Sequence, residues 1–310
     1  MTCCPTRPEA GASKTEKSSL VSTESEGEKS ERVRLNGGNF VMGTFDRILL
    51  DDGERPERKE KVDAFEIDVG AVTNERFSNF VAATGYKTEA ESFGWSFVFY
   101  GFLEKPETFE PVGGTEWWRV VHGAYWAEPE GPGSNIGDRM DHPVVHISWN
   151  DAQEFAKWAA GRLPTEQEWE FAARGGLERK RYPWGDQEPN DVDFFPCNIW
   201  QGSFPRINNA ADGYKGTAPV KSFQPNGYGL YNMVGNAWEW TNDVFRIKSM
   251  RKGAKRKMEE LKNEPSKVIK GGSYLCHKSY CHRYRVAARS HNTADSATGH
   301  MGFRLVYDLQ

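Results

Sequence analysis

No stretch of this chain keeps a regular backbone period for long, because 31 glycines and 16 prolines interrupt its 310 residues. Proline removes a backbone donor and fixes φ, while glycine adds freedom that regular elements must give up. Their spacing excludes a helical bundle and predicts a fold rich in loops and turns. Such a fold still needs a core, yet hydrophobic residues make up only 37% of the chain. The 11 Trp, 11 Tyr and 18 Phe supply it, since each ring buries a large apolar area. Forty Lys and Arg against 44 Asp and Glu leave a net charge of −4, which argues against a nucleic-acid partner. No uncharged apolar run approaches the roughly 18 residues of a membrane span, and none has the form of a signal peptide. No membrane partner is therefore expected. The cysteines, Cys3, Cys4, Cys197, Cys276 and Cys281, are too sparse and odd in number for a disulfide scaffold.

Residues 1–31 are dominated by Ser, Thr, Glu, Lys and Gly, and read as a disordered tail. From Val33 the composition changes. Residues 40–43 and 62–69 alternate apolar with polar positions at strand period. Thr73 precedes Phe77, Phe80 and Val81 at helical spacing, and Gly85 stops the run. Residues 95–141 are aromatic and rich in Gly and Pro without a period, which predicts an ordered loop pinned by its rings. Two helices follow, one opening at Asn150 and Asp151 with Phe155 and Trp158 inward, the other opening on a capping box at Thr165 and Glu168 and ending at Gly175 and Gly176. Residues 182–240 read as loops and short strands. A basic insert over residues 246–262 reads as a solvated surface excursion with one short helix from Met258 to Leu261. Residues 32–310 are thus expected to form one α+β domain with little regular secondary structure.

The run GGSYLCHKSYCHRYR over residues 271–285 carries the chemistry. Cys276 and Cys281 stand five apart, and each is followed by histidine. In a straight strand their Cα atoms would lie roughly 16 Å apart on opposite faces, so the segment must bend if the sulfurs are to meet. Gly271 and Gly272 supply freedom before it, and Arg283 and Arg285 favour thiolates nearby. Three readings stay open. A structural disulfide requires an oxidising compartment. Zinc asks for four ligands, and there is no second cysteine pair. Two thiolates alone suit a soft ion of low coordination such as Cu(I), or a redox dithiol.

The same run, continued by AARS and Asn292 and by GFR at 302–304, resembles the signature of the formylglycine-generating enzymes, or sulfatase-modifying factors. The resemblance extends through HISWND (146–151), GRLPTE (161–166), YPWG (182–185), NIWQG (198–202), PNGYGLYN (225–232) and VGNAWEW (234–240), covering residues 33–308. It implies a single loop-rich domain of the formylglycine-generating, C-type-lectin-like kind. It also implies an oxidase that uses O₂ and a thiol reductant to convert one cysteine of an unfolded or nascent sulfatase, in a Cys-x-Pro-x-Arg segment, to Cα-formylglycine. By that resemblance Cys276 and Cys281 would hold Cu(I), Ser273 and Tyr280 would stand beside the metal, and Trp238 would wall the oxygen pocket. Structural calcium would sit at Asn198, Ile199, Asp212 and Tyr214, and again at Asn232, Gly235, Ala237 and Glu239. Oxygen-rich loops suit such an ion.

The chain also departs from the family pattern. Disulfide-forming cysteines of secretory members fall here at Ala156, Ala173, Val286 and Leu305, which implies a reducing compartment, expected to be the cytoplasm. The ER lumen or secretion is the alternative if a signal has been removed. Gly70, Ala71, Trp95 and His300 replace other residues and put substrate contacts in question. A monomer is expected. The competing function is a non-catalytic or altered-specificity paralogue that binds sulfatases or other polypeptides; the family's non-catalytic members lack the cysteine pair.

Overall fold

The computed structural model describes residues 4–7, 30–247, 251–261 and 265–309. In chain order the elements are β1 (Arg32–Leu35), β2 (Gly38–Met42), β3 (Arg58–Val62), β4 (Phe65–Asp68), α1 (Asn74–Thr84), α2 (Glu89–Phe93), β5 (Trp95–Phe99), β6 (Glu110–Pro111) and β7 (Trp118–His122). They continue with α3 (Trp149–Trp158), α4 (Glu166–Arg174), β8 (Trp238–Val244), α5 (Lys252–Glu260), β9 (Ser266–Lys270), β10 (Arg289–Thr293), β11 (Met301–Gly302) and β12 (Val306–Asp308). The result is the mixed, loop-rich α+β architecture expected.

Four small sheets replace one large one. The orders are β1-β4-β12, β10-β9-β8-β11, β2-β3 and β5-β7-β6, all antiparallel except the β8–β11 pair. Both ends of the domain therefore flank β4. The core that joins the sheets is aromatic: Trp169, Trp238, Trp240, Phe77, Phe155 and Phe303 are fully buried. Several charged groups cross it in pairs. Arg304 meets Glu239 at 2.7 Å, Arg285 meets Glu54 at 2.6 Å, and Lys270 meets Glu170 at 3.2 Å.

Local signals placed α1, α3 and α4, whereas α2 was not anticipated and α5 spans Lys252–Glu260 rather than the short Met258–Leu261 helix expected. Thr73 caps α1 and Gly85 closes it in the left-handed region at φ 66°, while Thr165 and Glu168 form the capping box of α4. α3 starts one residue earlier than expected, because Ser148 and Asp151 form a capping box of their own. The 62–69 run splits into β3 and β4. The expected loop at 95–141 is corrected: Trp95–Phe99 pairs antiparallel with Trp118–His122. Four of the five β5 residues are buried, so no alternation marked it as a strand.

Two further expectations change. The insert packs rather than floating in solvent, with Ala254 buried against Phe245, Ile247 and Val268 and with Met258 and Leu261 beside them. Its Lys257 reaches Asp52 at 2.7 Å. The tail over 1–31 is not wholly loose, since Cys4, Pro5 and Arg7 are buried against the domain, and Glu31 accepts a bond from the Val69 amide at 3.0 Å. Residues 8–29 lie outside the described residues.

Candidate active site

Strands β8 and β9 deliver the chain to the segment that holds the paired cysteines. After Lys270, Gly271 and Gly272 take φ of 92° and 75°. A Cβ on Gly272 would stand 3.1 Å from the Tyr284 amide nitrogen, where the returning segment crosses, so both conformation and space call for glycine. The bend anticipated from spacing is made by turns: the amides of Tyr280 and Cys281 donate to the His277 carbonyl at 2.9 and 2.8 Å, and that of Cys276 to Ser273 at 2.9 Å. The sulfurs meet at 3.0 Å, with the Cys276 thiol donating to Cys281. That distance exceeds the roughly 2.05 Å of a disulfide. Both residues are buried, at 1% and 0% exposure.

Burial first, and then the neighbouring Cys281, hold the Cys276 thiol well above its ordinary range. Counter-polarity is nonetheless present. The Ser273 amide points at Cys276 Sγ at 3.4 Å, and Arg283 Nη1 stands 3.7 Å from Cys281 Sγ. Arg283 is itself fixed by Asp52, whose Oδ2 accepts from Nε and Nη2 at 2.7 Å. Burial pushes the Asp52 carboxyl up, but Arg283 and Lys257 overcome it and the net shift is downward. Asp52 and the insert thus belong to the support of the dithiol, which the sequence reading missed.

Ser273 touches the pair through its amide, and the other expected companions are fixed by neighbours of their own. Ser273 Oγ lies 3.3 Å from His300 Nδ1, and His300 packs edge-on to Trp118 at 4.6 Å. His300 is buried behind the serine and is not displayed on an exposed loop. Tyr280 stacks on Phe204 at 4.2 Å and meets Trp117 edge-on at 4.8 Å, so its ring is clamped. Trp238 shares the apolar cluster of both cysteines, and its indole nitrogen is buried with no hydrogen-bond partner. The two histidines that follow the cysteines turn elsewhere. His277 bonds Ser279 at 2.8 Å and His282 bonds Tyr182 at 3.1 Å, so neither competes for a metal held by the sulfurs.

A buried dithiol in this frame, built from the segments that carry the resemblance, is the feature against which comparison matters. A family model described as "Sulfatase-modifying factor enzyme 1-like domain" matches residues 17–309. The chain belongs to that family. The formylglycine-generating enzyme of Bos taurus is 50% identical over 283 residues, covering 89% of this chain and 74% of that one. The enzyme of that name from Thermomonospora curvata is 51% identical over 282 residues, covering 89% and 93%. A Mus musculus relative named "Inactive C-alpha-formylglycine-generating enzyme 2" is 45% identical, covering 88% and 84%. Among solved structures, PvdO from Pseudomonas aeruginosa superposes with a TM-score of 0.61 at 23% identity, covering 90% of this chain and 95% of that one. CarF does so with 0.54 at 23%, covering 91% and 99%. At that identity they share the fold.

The two sets of family calcium residues each come together in space. In the first, Asp212 accepts from the amides of Ile199 and Tyr214 at 3.2 and 3.0 Å and from Gln201 at 2.9 Å. Asn198 spends its amide nitrogen on Gly216 and Asn236 at 2.8 and 3.2 Å, leaving Oδ1 buried without a partner. In the second, Asn232 donates to the Pro219 and Val220 carbonyls and again leaves Oδ1 buried and unmatched. Gly235 allows the two sets to touch, since a Cβ there would sit 2.4 Å from the Asn198 carbonyl. Two orphaned amide oxygens are what a hard cation satisfies, so the residues fit calcium. Glu239 is more committed than expected: it accepts Nε and Nη2 of Arg304 and the Trp169 indole N–H, all at 2.7 Å. A carboxylate offers about four acceptor directions, which leaves one. Among the described residues no three His, Cys, Asp or Glu side chains converge as a metal site, so such an ion draws on amides and carbonyls.

An acidic cluster was also missed. Asp151, read only as a helix start, accepts from Tyr86, Ser148 and Glu89 at 2.9, 3.0 and 3.0 Å. Burial and the nearby Glu89 push its carboxyl up to about 7.

Proposed function

We propose that this protein is a formylglycine-generating oxidase that acts on a cysteine in a Cys-x-Pro-x-Arg segment of an unfolded sulfatase. The observation that carries the reading is the pair of buried sulfurs, Cys276 and Cys281, 3.0 Å apart within the family's frame. Overall, the substrate CH₂–SH becomes CHO and its sulfur leaves as sulfide. O₂ accepts four electrons, two from the substrate carbon and two from a thiol reductant, and its second oxygen leaves as water.

The donor set fits the cofactor this needs: two soft sulfurs side by side, with both neighbouring histidines engaged elsewhere. Cys276 and Cys281 would hold Cu(I), which when bound supplies electron transfer to O₂. The rest falls to the chain. Arg283 offsets thiolate charge from 3.7 Å, and Asp52 keeps it there. Ser273, whose amide touches Cys276 and whose hydroxyl pairs with His300, would hold a departing proton. The clamped Tyr280 would offer a phenol, and Trp238, buried in the apolar cluster of the cysteines, would help exclude water. Calcium at the two Asn-centred sites would staple loops that few ladders fix. Ala156, Ala173, Val286 and Leu305 are buried in the core, which supports folding without the secretory disulfides and hence in a reducing compartment such as the cytoplasm. A monomer suits this scheme.

The test incubates the protein with a Cys-x-Pro-x-Arg peptide, Cu(I), a thiol reductant and air, and weighs the peptide. The expected product carries the mass change of CH₂–SH to CHO, and Cys276→Ser abolishes it. The mouse relative named inactive supplies the second reading: a peptide that binds the copper-loaded protein and stays unmodified would make this chain a binding paralogue.

A further inference from the structure

Residues 4–7 belong to a stretch whose composition promised nothing, and they are docked on the dithiol face. Cys4, at 2% exposure, lies in the apolar cluster that contains Cys276 and Cys281 and within electrostatic reach of Cys276. The Pro5 carbonyl accepts from Asn292 Nδ2 at 3.0 Å. The Arg7 amide donates to Ser296 Oγ at 2.8 Å, and its Nη2 to the Trp95 carbonyl at 3.3 Å. Its guanidinium lies 3.7 Å from the Phe93 ring centre and 4.3 Å from that of Trp95, with Asp295, Glu89 and Asp151 as the carboxylates it faces. Arg7 is 3% exposed, whereas Thr6 between it and Pro5 is exposed. Proline and arginine thus enter built pockets, with the Cys4 side chain buried in the apolar cluster that holds the two sulfurs. Residues 3–7 read Cys-Cys-Pro-Thr-Arg, a Cys-x-Pro-x-Arg segment whose motif cysteine, Cys3, lies outside the described residues, with Cys4 at the position that follows it.

We propose that residues 4–7 are a resident occupant of the peptide groove, so that a segment of the chain itself competes in cis with a client for the dithiol. The identity of the groove rests on the function proposed above, but the occupancy does not. A tethered segment meets its site at high effective concentration, and a client's apparent affinity falls by the fraction of molecules in which the groove is open. Client segments carrying proline and arginine at this spacing displace it, since they fill the same two pockets.

Two full-length variants, Arg7→Glu and Cys4→Ser/Pro5→Gly, and a deletion of residues 2–7 test this by two readouts. The first is the alkylation rate of Cys276 and Cys281 in the metal-free protein, resolved by peptide mass. The second is the dissociation constant of a Cys-x-Pro-x-Arg peptide. Emptying the groove should speed alkylation and tighten peptide binding by about threefold to tenfold. A synthetic peptide of residues 1–10 added to the deletion variant should slow alkylation again. Wild-type alkylation rates and peptide affinity in all three variants would overturn the proposal. Faster alkylation with no binding of any Cys-x-Pro-x-Arg peptide would uphold the occupancy and remove the substrate reading instead.

Discussion

Replacing Glu239 by glutamine removes the only anion, among the described residues, that pairs with Arg304 in the core. Arg304 is fully buried, and apart from Glu239 its donors find backbone carbonyls, Tyr231 at 2.9 Å and Asp68 and Val69 at 3.3 and 3.4 Å. Glutamine keeps the shape but presents one amide nitrogen where an oxygen accepted, so a donor faces either the guanidinium or the Trp169 indole. Breaking a buried pair from one side costs about 3–5 kcal/mol, because a buried charge is left uncompensated. Against a usual stability of about 5–15 kcal/mol, that is a large fraction. Urea unfolding of Glu239→Gln should show the loss as a lower midpoint at unchanged slope. It should be the same with calcium or chelator, since the anchor is protein to protein. Adding Arg304→Met should recover part of it. A loss under about 1 kcal/mol, or one that disappears in chelator, would refute the view that Glu239 is first an anchor for Arg304 and only then a calcium ligand.

Removing calcium should lower the melting temperature of the wild type, because Asn198 and Asn232 would then each bury an oxygen with no partner; an unchanged curve in a sample shown to be calcium-free would eliminate both sites. Cys276→Ser and Cys281→Ser should each weaken Cu(I) binding in a direct titration, and wild-type affinity in either would separate the two sulfurs. Asp151 sets a pH dependence. Its carboxyl is held at about 7 in the fold against 3.8 for the unperturbed group, so the folded chain keeps a proton that the unfolded chain releases. The stability it contributes is complete below about pH 4, falls as pH rises through 7, and is level above. Wild-type stability relative to Asp151→Asn should therefore drop by a few kcal/mol, on the order of one per pH unit, between pH 4 and 7, and a flat difference would show that Asp151 is ionised throughout.

Much of the candidate site was legible because its residues are neighbours in sequence. Cys276 and Cys281, the glycines before them and Arg283 after them form one contiguous run, and the need for a bend followed from strand geometry alone. Helix ends at Thr73, Gly85, Thr165 and Gly175 were readable for a similar reason, since caps satisfy backbone groups within three or four residues. The aromatic core followed from composition.

Tertiary structure decided the rest. The strand Trp95–Phe99 carries no alternation because both of its faces are covered. Asp52 reaches Arg283 across 231 residues and Lys257 across 205, and nothing in the DDGE run or the basic insert announces a role at the sulfurs. Glu239, read as an ion ligand, is bound to an arginine that a local pattern could not assign to it. The N terminus shows the limit most clearly. Residues 4–7 have no period and little apolar weight, and they are buried only because residues 93–95, 151 and 292–296 build pockets that fit a proline and an arginine. Burial measured along a sequence reports what a segment can cover by itself, whereas a short segment that inserts into a surface made by distant elements takes its order entirely from them.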